Sequence, residues 1–538
     1  MTATLLPPPV SSTQPPGPPG FGRALRAEWT KFRTLRGWII AVLVGLALID
    51  AVGLLLVRGS IGCGTASGKA CYQPLPTGPD GEAVTDAFYF VHRTLTGDGT
   101  ITARMRDLTG HYSSRPGPVA AGQDDSGESV GTQPWSKAGI LIKDGLTPGS
   151  AYAAMTATGS HGTRMQWNFT HDAAGLPGPV TASSPRWLRL TRSGDTVTGY
   201  DSSDGVTWAK VATARLTGLP ATVQVGLFAT SPGVLVVTES FGGSSATGGP
   251  STATGTFDHV ALSGTVGGAD WAGGAVNGDG RPAPLRDGRP LVGSYRPSGG
   301  QITVTGSGDI APAVPAASTS PGATATIGDH LAGIFLGLVV LIVVAAMFAT
   351  AEYRRGLIRI TLAAIPSRGR LLAAKATVIG AVTFAAGLVA VGVAVPVGVR
   401  ISRDSGFYVL PVSGAIEARV IVGTALVLAV CSVLALAVGV ILRRGAAAVA
   451  AVVVGIVLPY LLGTAAGLPD SAREWLLRVT PAAGFAIGQT IPRYAQVTAR
   501  YDAPAYFPLG PWAGFAVLCG YATVALAIAY LLLRRRDA

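Results

Sequence analysis

The 538 residues are 48% apolar and 13% charged, with a net charge of +12. This is the balance of a membrane protein, not of a soluble nucleic-acid binder, which carries its basic excess on a folded polar face. Residues 59–326 hold 17 Lys and Arg against 19 Asp and Glu, whereas the remainder holds 24 against 10, so the basic excess surrounds the apolar segments and reads as inner-leaflet contact and a topology signal.

In chain order, residues 1–20 form a Pro-rich tail expected to be disordered. The tail has neither the basic start nor the compact apolar core of a signal peptide. Across residues 21–37, Phe21, Leu25, Trp29 and Phe32 recur at helical spacing with Arg23, Arg26 and Arg33 between them. That pattern predicts an amphipathic helix on the inner membrane surface. Six apolar runs follow at 38–57, 331–351, 377–399, 421–442, 446–466 and 512–533. Each approaches the roughly 20 residues that a bilayer core requires. The chain therefore reads as an α-helical membrane protein with six transmembrane helices, the first at 38–58 and helices two to six within 327–538. Arg443, Arg444 and Gly445 alone separate the fourth and fifth runs, which predicts a tight hairpin. Pro396 and Pro459 lie inside runs, where each should kink or end its helix.

Orientation follows from Lys and Arg in the short flanks. With the N-terminus inside, sixteen cations lie on the inner side and seven in the outer short loops. Both termini are then cytoplasmic, residues 59–326 are extracytoplasmic, and the chain is a multi-pass plasma-membrane protein. Cys63 and Cys71 lie in an entry segment, 59–79, on the oxidising side, and are expected to pair. Cys431 and Cys519 lie in apolar runs and read as inert. No CxxC pair, His/Cys cluster or HExxH string suggests a metal.

The external insert changes period. Residues 100–106 place Ile101, Ala103 and Met105 on one face, and residues 164–169 do the same with Met165, Trp167 and Phe169. More short alternating runs follow at 187–192, 196–200, 223–229 and 256–262, separated by Gly, Pro and Asp-Gly turns. Many short strands with regular turns predict an inserted all-β antiparallel sandwich over 80–264. Residues 265–326 are Gly/Pro-rich with one strand at 301–305, and read as a tether back to the membrane.

Two resemblances attach to these segments. ALRAEWTKFRTLRGW near the start, EYRRGLIRITLAAIPSRGRLLAAK at 352–375, VTPAAGFAIGQTIP at 479–492 and FPLGPWAGFAVLCGYA at 507–522 together resemble the permease subunit of type-2 ABC transporters of high-GC Gram-positive bacteria. Coverage is about residues 21–58 and 327–538, and the match lies in order and spacing. WSKAGILIKDGLTPGSAYA (135–153), WLRLTRSGDTVTGYDSSDGVTW (187–208), VQVGLFATS (223–231) and FDHVALSG (257–264) resemble a concanavalin-A-like, laminin-G-like sandwich. Such folds are often carbohydrate-binding modules, but fold alone does not carry function.

The resemblance implies a subunit of an ATP-driven exporter. No GxxxxGK[ST] phosphate cradle occurs; GCGTASGKA from Gly62 has the wrong spacing. The chain is therefore read as no enzyme and as carrying no cofactor, with ATP bound by a partner ATPase. A second permease half, membrane lipid and a cell-wall glycan are the other expected partners, and nucleic acid is not. The loop 352–375 holds six cations and one acid. It is either a plain topology signal or, as the resemblance implies, a coupling helix, with Glu352, Arg354, Arg355 and Gly356 as first contacts to the ATPase and Arg359 and Arg368 flanking. Asp50 within the first span either faces a translocation path or is solvated near the outer mouth. In DSSDGVTW, Asp204 and Gly205 are expected to shape a turn against which Trp208 packs. A glycosidase needs two positioned carboxylates, but the insert offers only Glu82, Glu128 and Glu239 as glutamates and no ExDxxE strand. The alternative to a permease is a membrane-anchored glycan receptor, with Trp135, Trp187 or Tyr200 stacking on sugars.

Overall fold

The computed structural model describes residues 20–59, 75–113, 128–240, 243–249, 251–276, 293–314, 324–354, 361, 367–405, 407–464, 468–497 and 506–536. Cys63 and Cys71, and with them the expected disulfide, lie outside the described residues, as do Arg355, Gly356 and Arg359.

Six helices are long and apolar enough to cross a membrane. After the short helix α1 (Phe21–Thr34) they are α2 (Arg36–Gly59), α3 (Ile334–Arg354), α4 (Arg368–Asp404), α5 (Gly414–Leu442) and α6 (Gly445–Thr464), then, after the amphipathic α7 (Asp470–Val479), α8 (Pro511–Arg536). An apolar chain in lipid must satisfy its own backbone, and the helix does so within the segment. α5 is the most enclosed span, packed against α3, α4, α6 and α8. Ser413 caps its start by accepting from the Ile416 N–H, and Arg443 ends it with φ 57°. The hairpin to α6 is thus as tight as Arg443, Arg444 and Gly445 suggest. Neither proline ends its helix: α4 runs through Pro396 and α6 through Pro459.

α2 and α3 pack in direct contact because glycines let the backbones approach. A Cβ on Gly337 would lie 2.2 Å from Ile49 Cγ1, and one on Gly333 2.3 Å from the Ile49 carbonyl oxygen. The outward sides of the helices carry Ile40, Leu43, Leu55, Val389, Val454, Leu461, Val524 and Leu531 exposed, as spans bathed in lipid would.

Between α2 and α3 lies an antiparallel β domain. Its strands are β1 (Val84–Asp86), β2 (Phe88–Ser113), β3 (Glu128–Val130), β4 (Lys137–Lys143), β5 (Tyr152–Thr158), β6 (Thr163–Trp167) and β7 (His171–Ala174). Next come β8 (Arg186–Ser193), β9 (Thr196–Ser202), β10 (Ala209–Arg215), β11 (Thr222–Thr230), β12 (Val234–Ser240) and β13 (Gly243–Gly249). The last are β14 (Ser251–Val276), β15 (Ser294–Ser298), β16 (Gln301–Gly306) and β17 (Ile310–Pro312).

The main sheet runs β10-β9-β8-β2-β11-β4-β5-β6-β7. Strand β2 bridges its halves: Tyr89–Thr96 pairs with β11, and Gly99–Met105 with β8. The two halves lie face to face. A Cβ on Gly199 of β9 would meet the sulfurs of Met165 and Met155 on the facing strands at 2.6 and 2.7 Å. Ile101, Met105, Ile140, Met155, Leu188, Leu190, Val225 and Leu227 fill the space between them, the alternating residues that period two predicts.

Two expectations need correction. The strand expected over 164–169 stops at Trp167, because Asn168 and Phe169 adopt φ 44° and 62° and turn the chain into β7. The domain also does not end at 264. β14 continues to Val276 alongside β2, β16 pairs with β14, and β17 pairs with β1. Much of the Gly-rich stretch read as tether is therefore sheet, because β2 offers an edge whose backbone groups need partners.

Contacts fix which elements share an end of the molecule. The β domain meets the connector between α7 and α8: Gln496 Nε2 donates to the Phe169 carbonyl at 2.9 Å, and Ala311 and Val314 pack with Val497, Ile491 and Tyr494. The returning strand β18 (Thr324–Ala325) pairs in parallel with β19 (Tyr408–Val409) in the α4–α5 loop. At the opposite end, Arg368 Nη1 at the start of α4 donates to the carbonyls of Leu533 and Arg534 on α8, at 2.6 and 2.9 Å. α1 lies at that same end, with Lys31 reaching Glu352 on α3.

Candidate functional site

The chemistry-bearing constellation of the helical part sits at the α1 end. The face of α1 turned to the bundle carries Ala24, Glu28 and Phe32, all buried, while Phe21 and Trp29 stand exposed. Phe32 and Trp38 meet the Phe348 ring edge-on, at 5.8 and 6.3 Å between centroids. The four aromatic and apolar positions of α1 thus divide between protein and outward faces.

Within this packing lie two carboxylates and two ammonium groups. Lys375 Nζ of α4 donates to Glu28 Oε2 at 2.8 Å and to Glu352 Oε1 at 2.7 Å. Lys31 Nζ donates to Glu28 Oε1 at 2.8 Å and to Glu352 Oε1 at 2.9 Å. Glu28 and Lys375 are buried, Glu352 nearly so, and the Lys31 side chain is 40% exposed. Lys375 also lies 4.9 Å from the centre of the Phe348 ring, a cation–π contact. Burial opposes charge on Lys31, but its hydrogen bonds and charge attraction to Glu28 and Glu352 win and hold its pKa above the usual lysine value. Two positive and two negative groups close on each other, so the cluster is neutral and joins α1, α3 and α4.

Glu352 therefore has its Oε1 committed to lysines of its own chain, and its Oε2 is buried without a hydrogen-bond partner among the described residues. Arg354 is the last residue of α3, and Arg368 is spent on the end of α8. Glu28, Lys31 and Lys375 are the residues that sequence reasoning passed over. Their signal was present: Glu28 is the sole acid in α1, Glu352 the sole acid of 352–375, and Lys375 stands in an apolar helical run.

At the other end, Asp50 Oδ1 on α2 is buried without a hydrogen-bond partner among the described residues. One turn later Gly53 abuts the His330 carbonyl, which a Cβ would approach to 2.7 Å. His330, in the 3-10 turn Ile327–Leu331, is itself buried against Gly398 of α4, and burial pushes its pKa down.

The three aromatic candidates of the β domain separate. Trp135 is buried, stacked on His161 at 3.9 Å with Arg164 over its ring at 5.5 Å. Trp187 and Tyr200 lie together on the solvent face of β8 and β9, half-buried. The Asp204 turn forms as expected: its Oδ1 accepts from the Val206 and Thr207 N–H groups at 2.8 Å, Gly205 has φ 77°, and Trp208 lies under Arg189. Those backbone hydrogen bonds hold the Asp204 carboxyl well below the usual carboxylate range. Among the described residues no group of three or more His, Cys, Asp or Glu side chains could hold a metal ion.

No family profile matches the chain, and no curated protein matches it. Among solved structures, a functionally unknown protein from Saccharomyces cerevisiae is 16% identical, over 37% of this chain and 86% of that one, with a TM-score of 0.20. Scytalido-glutamic peptidase with a transition state analog inhibitor is 7% identical, over 41% of this chain and 98% of that one, with a TM-score of 0.24. Scores this low carry no argument about activity, and the functional reading rests on the chain's own residues.

Proposed function

We propose that this chain is the membrane-spanning permease subunit of an ATP-driven ABC transporter, an exporter, and that a separate chain binds and hydrolyses the ATP. The observation that carries this reading is the ion cluster. It ties α1 to both helices that flank the basic loop 352–375, so a partner pushing on that loop moves three helices as one body. Arg354 and Arg355 supply charge-assisted donors for an acidic groove on such a partner. Two copies, or one copy and a homologue, complete the path, and the substrate class by resemblance is an amphiphile, lipid, peptide or antibiotic.

The test is co-purification and reconstitution with a Walker-motif ATPase encoded beside this gene. The reading expects a stable complex whose ATP turnover rises on assembly. Reversing Arg354 and Arg355 to Glu should cut association by at least about thirtyfold, the loss of about 2 kcal/mol or more from a charged interface contact. An ATPase that neither binds nor changes its turnover sinks the proposal. Substituting Glu352 does not test docking, because it opens the internal cluster first.

A further inference from the structure

The contact between the β domain and the α7–α8 connector contains an acid that the permease reading does not use. The turn before β1 carries Asp80 and Glu82, and the Gly78 N–H closes it by donating to the Glu82 carbonyl at 2.8 Å. The Ala313 N–H donates to the Ala83 carbonyl at 2.8 Å. The turn therefore lies beside β17, where Ala311, with Val314 just beyond, packs on Ile491, Tyr494 and Val497. Glu82 folds back over Gly78, where a Cβ would lie 2.2 Å from its Oε1. Both of its carboxylate oxygens are buried without a hydrogen-bond partner among the described residues. A carboxyl taken out of water with nothing to replace its hydrogen bonds favours the neutral acid. Burial pushes the Glu82 pKa up, and the Asp80 charge adds to the rise; the backbone of residues 82 and 80 pulls the other way without reaching hydrogen-bond geometry. From the connector Glu82 faces Tyr494, whose phenol is pushed up to about 12 by burial and then by the Glu82 and Tyr506 groups. Arg493, next to Tyr494, lies 3.5 Å from Glu474 of α7.

The connector is tied to the helical bundle in turn. It begins as a 3-10 segment, Pro481–Gly488, packed against α5, α6 and α8. Ala482, Ala483, Ala486 and Ile487 of this segment are buried. Gln489 then accepts from the Phe507 N–H through Oε1 at 3.0 Å, and Arg419 near the start of α5 donates to the Gln489 carbonyl. Phe485 of the segment, Phe335 of α3, Tyr460 of α6 and Phe507 form one ring cluster, with neighbouring centroids 4.2, 4.8, 5.6 and 6.3 Å apart. A pull on the connector therefore reaches three of the spans through packed side chains.

We propose that Glu82 is a proton-operated clasp: with its carboxyl neutral the β domain holds the connector, and through it the Pro481–Gly488 segment, and with the carboxyl charged that hold loosens. Acid in the solution around the β domain then tightens the contact. A carboxyl whose pKa is higher docked than free takes up a proton on docking. The gain is full below the free value and is lost as pH rises through the docked value. Gln496, which donates to the Phe169 carbonyl, and Val497, which packs on Ala311 and Val314, supply a hold that does not titrate. The clasp needs no ATPase partner, so it stands apart from the permease reading.

The test is amide hydrogen exchange of the purified full chain in detergent, read by mass spectrometry between about pH 4.5 and 7.5 and corrected for the intrinsic pH dependence of exchange. Protection at residues 489–497 and 481–488 should be at least about threefold higher at the acid end. Glu82→Gln, a neutral side chain of the same shape, should keep the acid-end protection at both extremes. Gln496→Ala should lower protection at 489–497 about threefold at every pH and leave the slope in place. Unchanged protection in β8 and β9 shows that the β domain stays folded in each variant, and the wild-type profile decides even where a variant misfolds. Wild-type protection that is flat or rises with pH overturns the proposal. So does a wild-type slope in Glu82→Gln, a response at 489–497 that leaves 481–488 unmoved, or a Gln496→Ala chain as protected as wild type.

Discussion

Both halves of the molecule bury ions, and they do so for different ends. In the β domain, Lys143 Nζ pairs with Asp86 Oδ2 at 2.9 Å, with both side chains fully enclosed. The Gly149 N–H also donates to Asp86 Oδ2, Lys143 Nζ donates to the Ser150 carbonyl, and Tyr152 and Phe169 wall the pair in. This one-to-one pair joins the ends of β1 and β4 within a single domain. The helical cluster is two-to-two, and its members come from residues 28, 31, 352 and 375. It joins segments that the whole β insert separates. Buried charge therefore joins strands of one domain in one region and distant segments of the chain in the other. A pair is weak as a source of stability but severe when half of it is removed.

Breaking the comparison starts with Lys375→Met, which leaves two carboxylates with only the half-exposed Lys31. A loss of about 3–5 kcal/mol is expected, read as a fall in the melting temperature of the purified chain and as early proteolysis between α1 and α2. Unchanged values would mean that the cluster holds nothing together. Lys143→Met should cost about 3 kcal/mol and act elsewhere, loosening protease sites in the β domain while the helices stay resistant. Adding Asp86→Leu should recover most of that loss, since the stranded charge goes with it; failure to recover would point to lost packing instead.

Lys31→Ala should cost less, about 1 kcal/mol, because the Lys31 side chain is itself 40% exposed and solvent screens its attraction to the two carboxylates, which keep Lys375. Its pH course has a definite sign. The folded pKa is raised, so the contribution is full below the free lysine value of about 10.4 and fades as pH climbs through the folded value. Wild type and Lys31→Ala should therefore converge in alkaline melts and differ at neutral pH. The smallest effect belongs to Asp258, whose carboxyl is held down at about 2, chiefly by its hydrogen bonds from Arg104. That contribution is full above the ordinary carboxylate range and is lost as pH falls through about 2. Asp258→Asn should lower the neutral plateau of β-domain stability slightly and flatten its acid limb, so that variant and wild type converge as pH falls through about 2.

The six spans were legible because lipid imposes one rule on composition and length, and each apolar run became a helix. The Asp204 turn was legible because its donors lie two and three residues away. Glu28 and Lys375 were not legible as a pair: helical periodicity assigns a face to each and cannot name a partner 347 positions distant. The extension of β14 past residue 264 was missed for another reason. Its Gly- and Ala-rich sequence has little strand preference of its own, and the free edge of β2 supplies the pairing that composition does not announce.

The pairing of β1 with β17 has a consequence for how such a chain is assembled. Val84 faces Pro312 and Asp86 faces Ile310, so the β domain begins and ends on adjacent strands, about 4.8 Å apart. To the helices it interrupts, a domain of this kind is a short loop whatever its length. Its fold has already closed the long intervening chain, and α2 and α3 need not bear the loop entropy of everything between them. Ile49 can then rest on Gly333 and Gly337 as though the two helices were neighbours in sequence. A module attached this way could be exchanged for another with equally close ends while the helical contacts beneath it stayed the same.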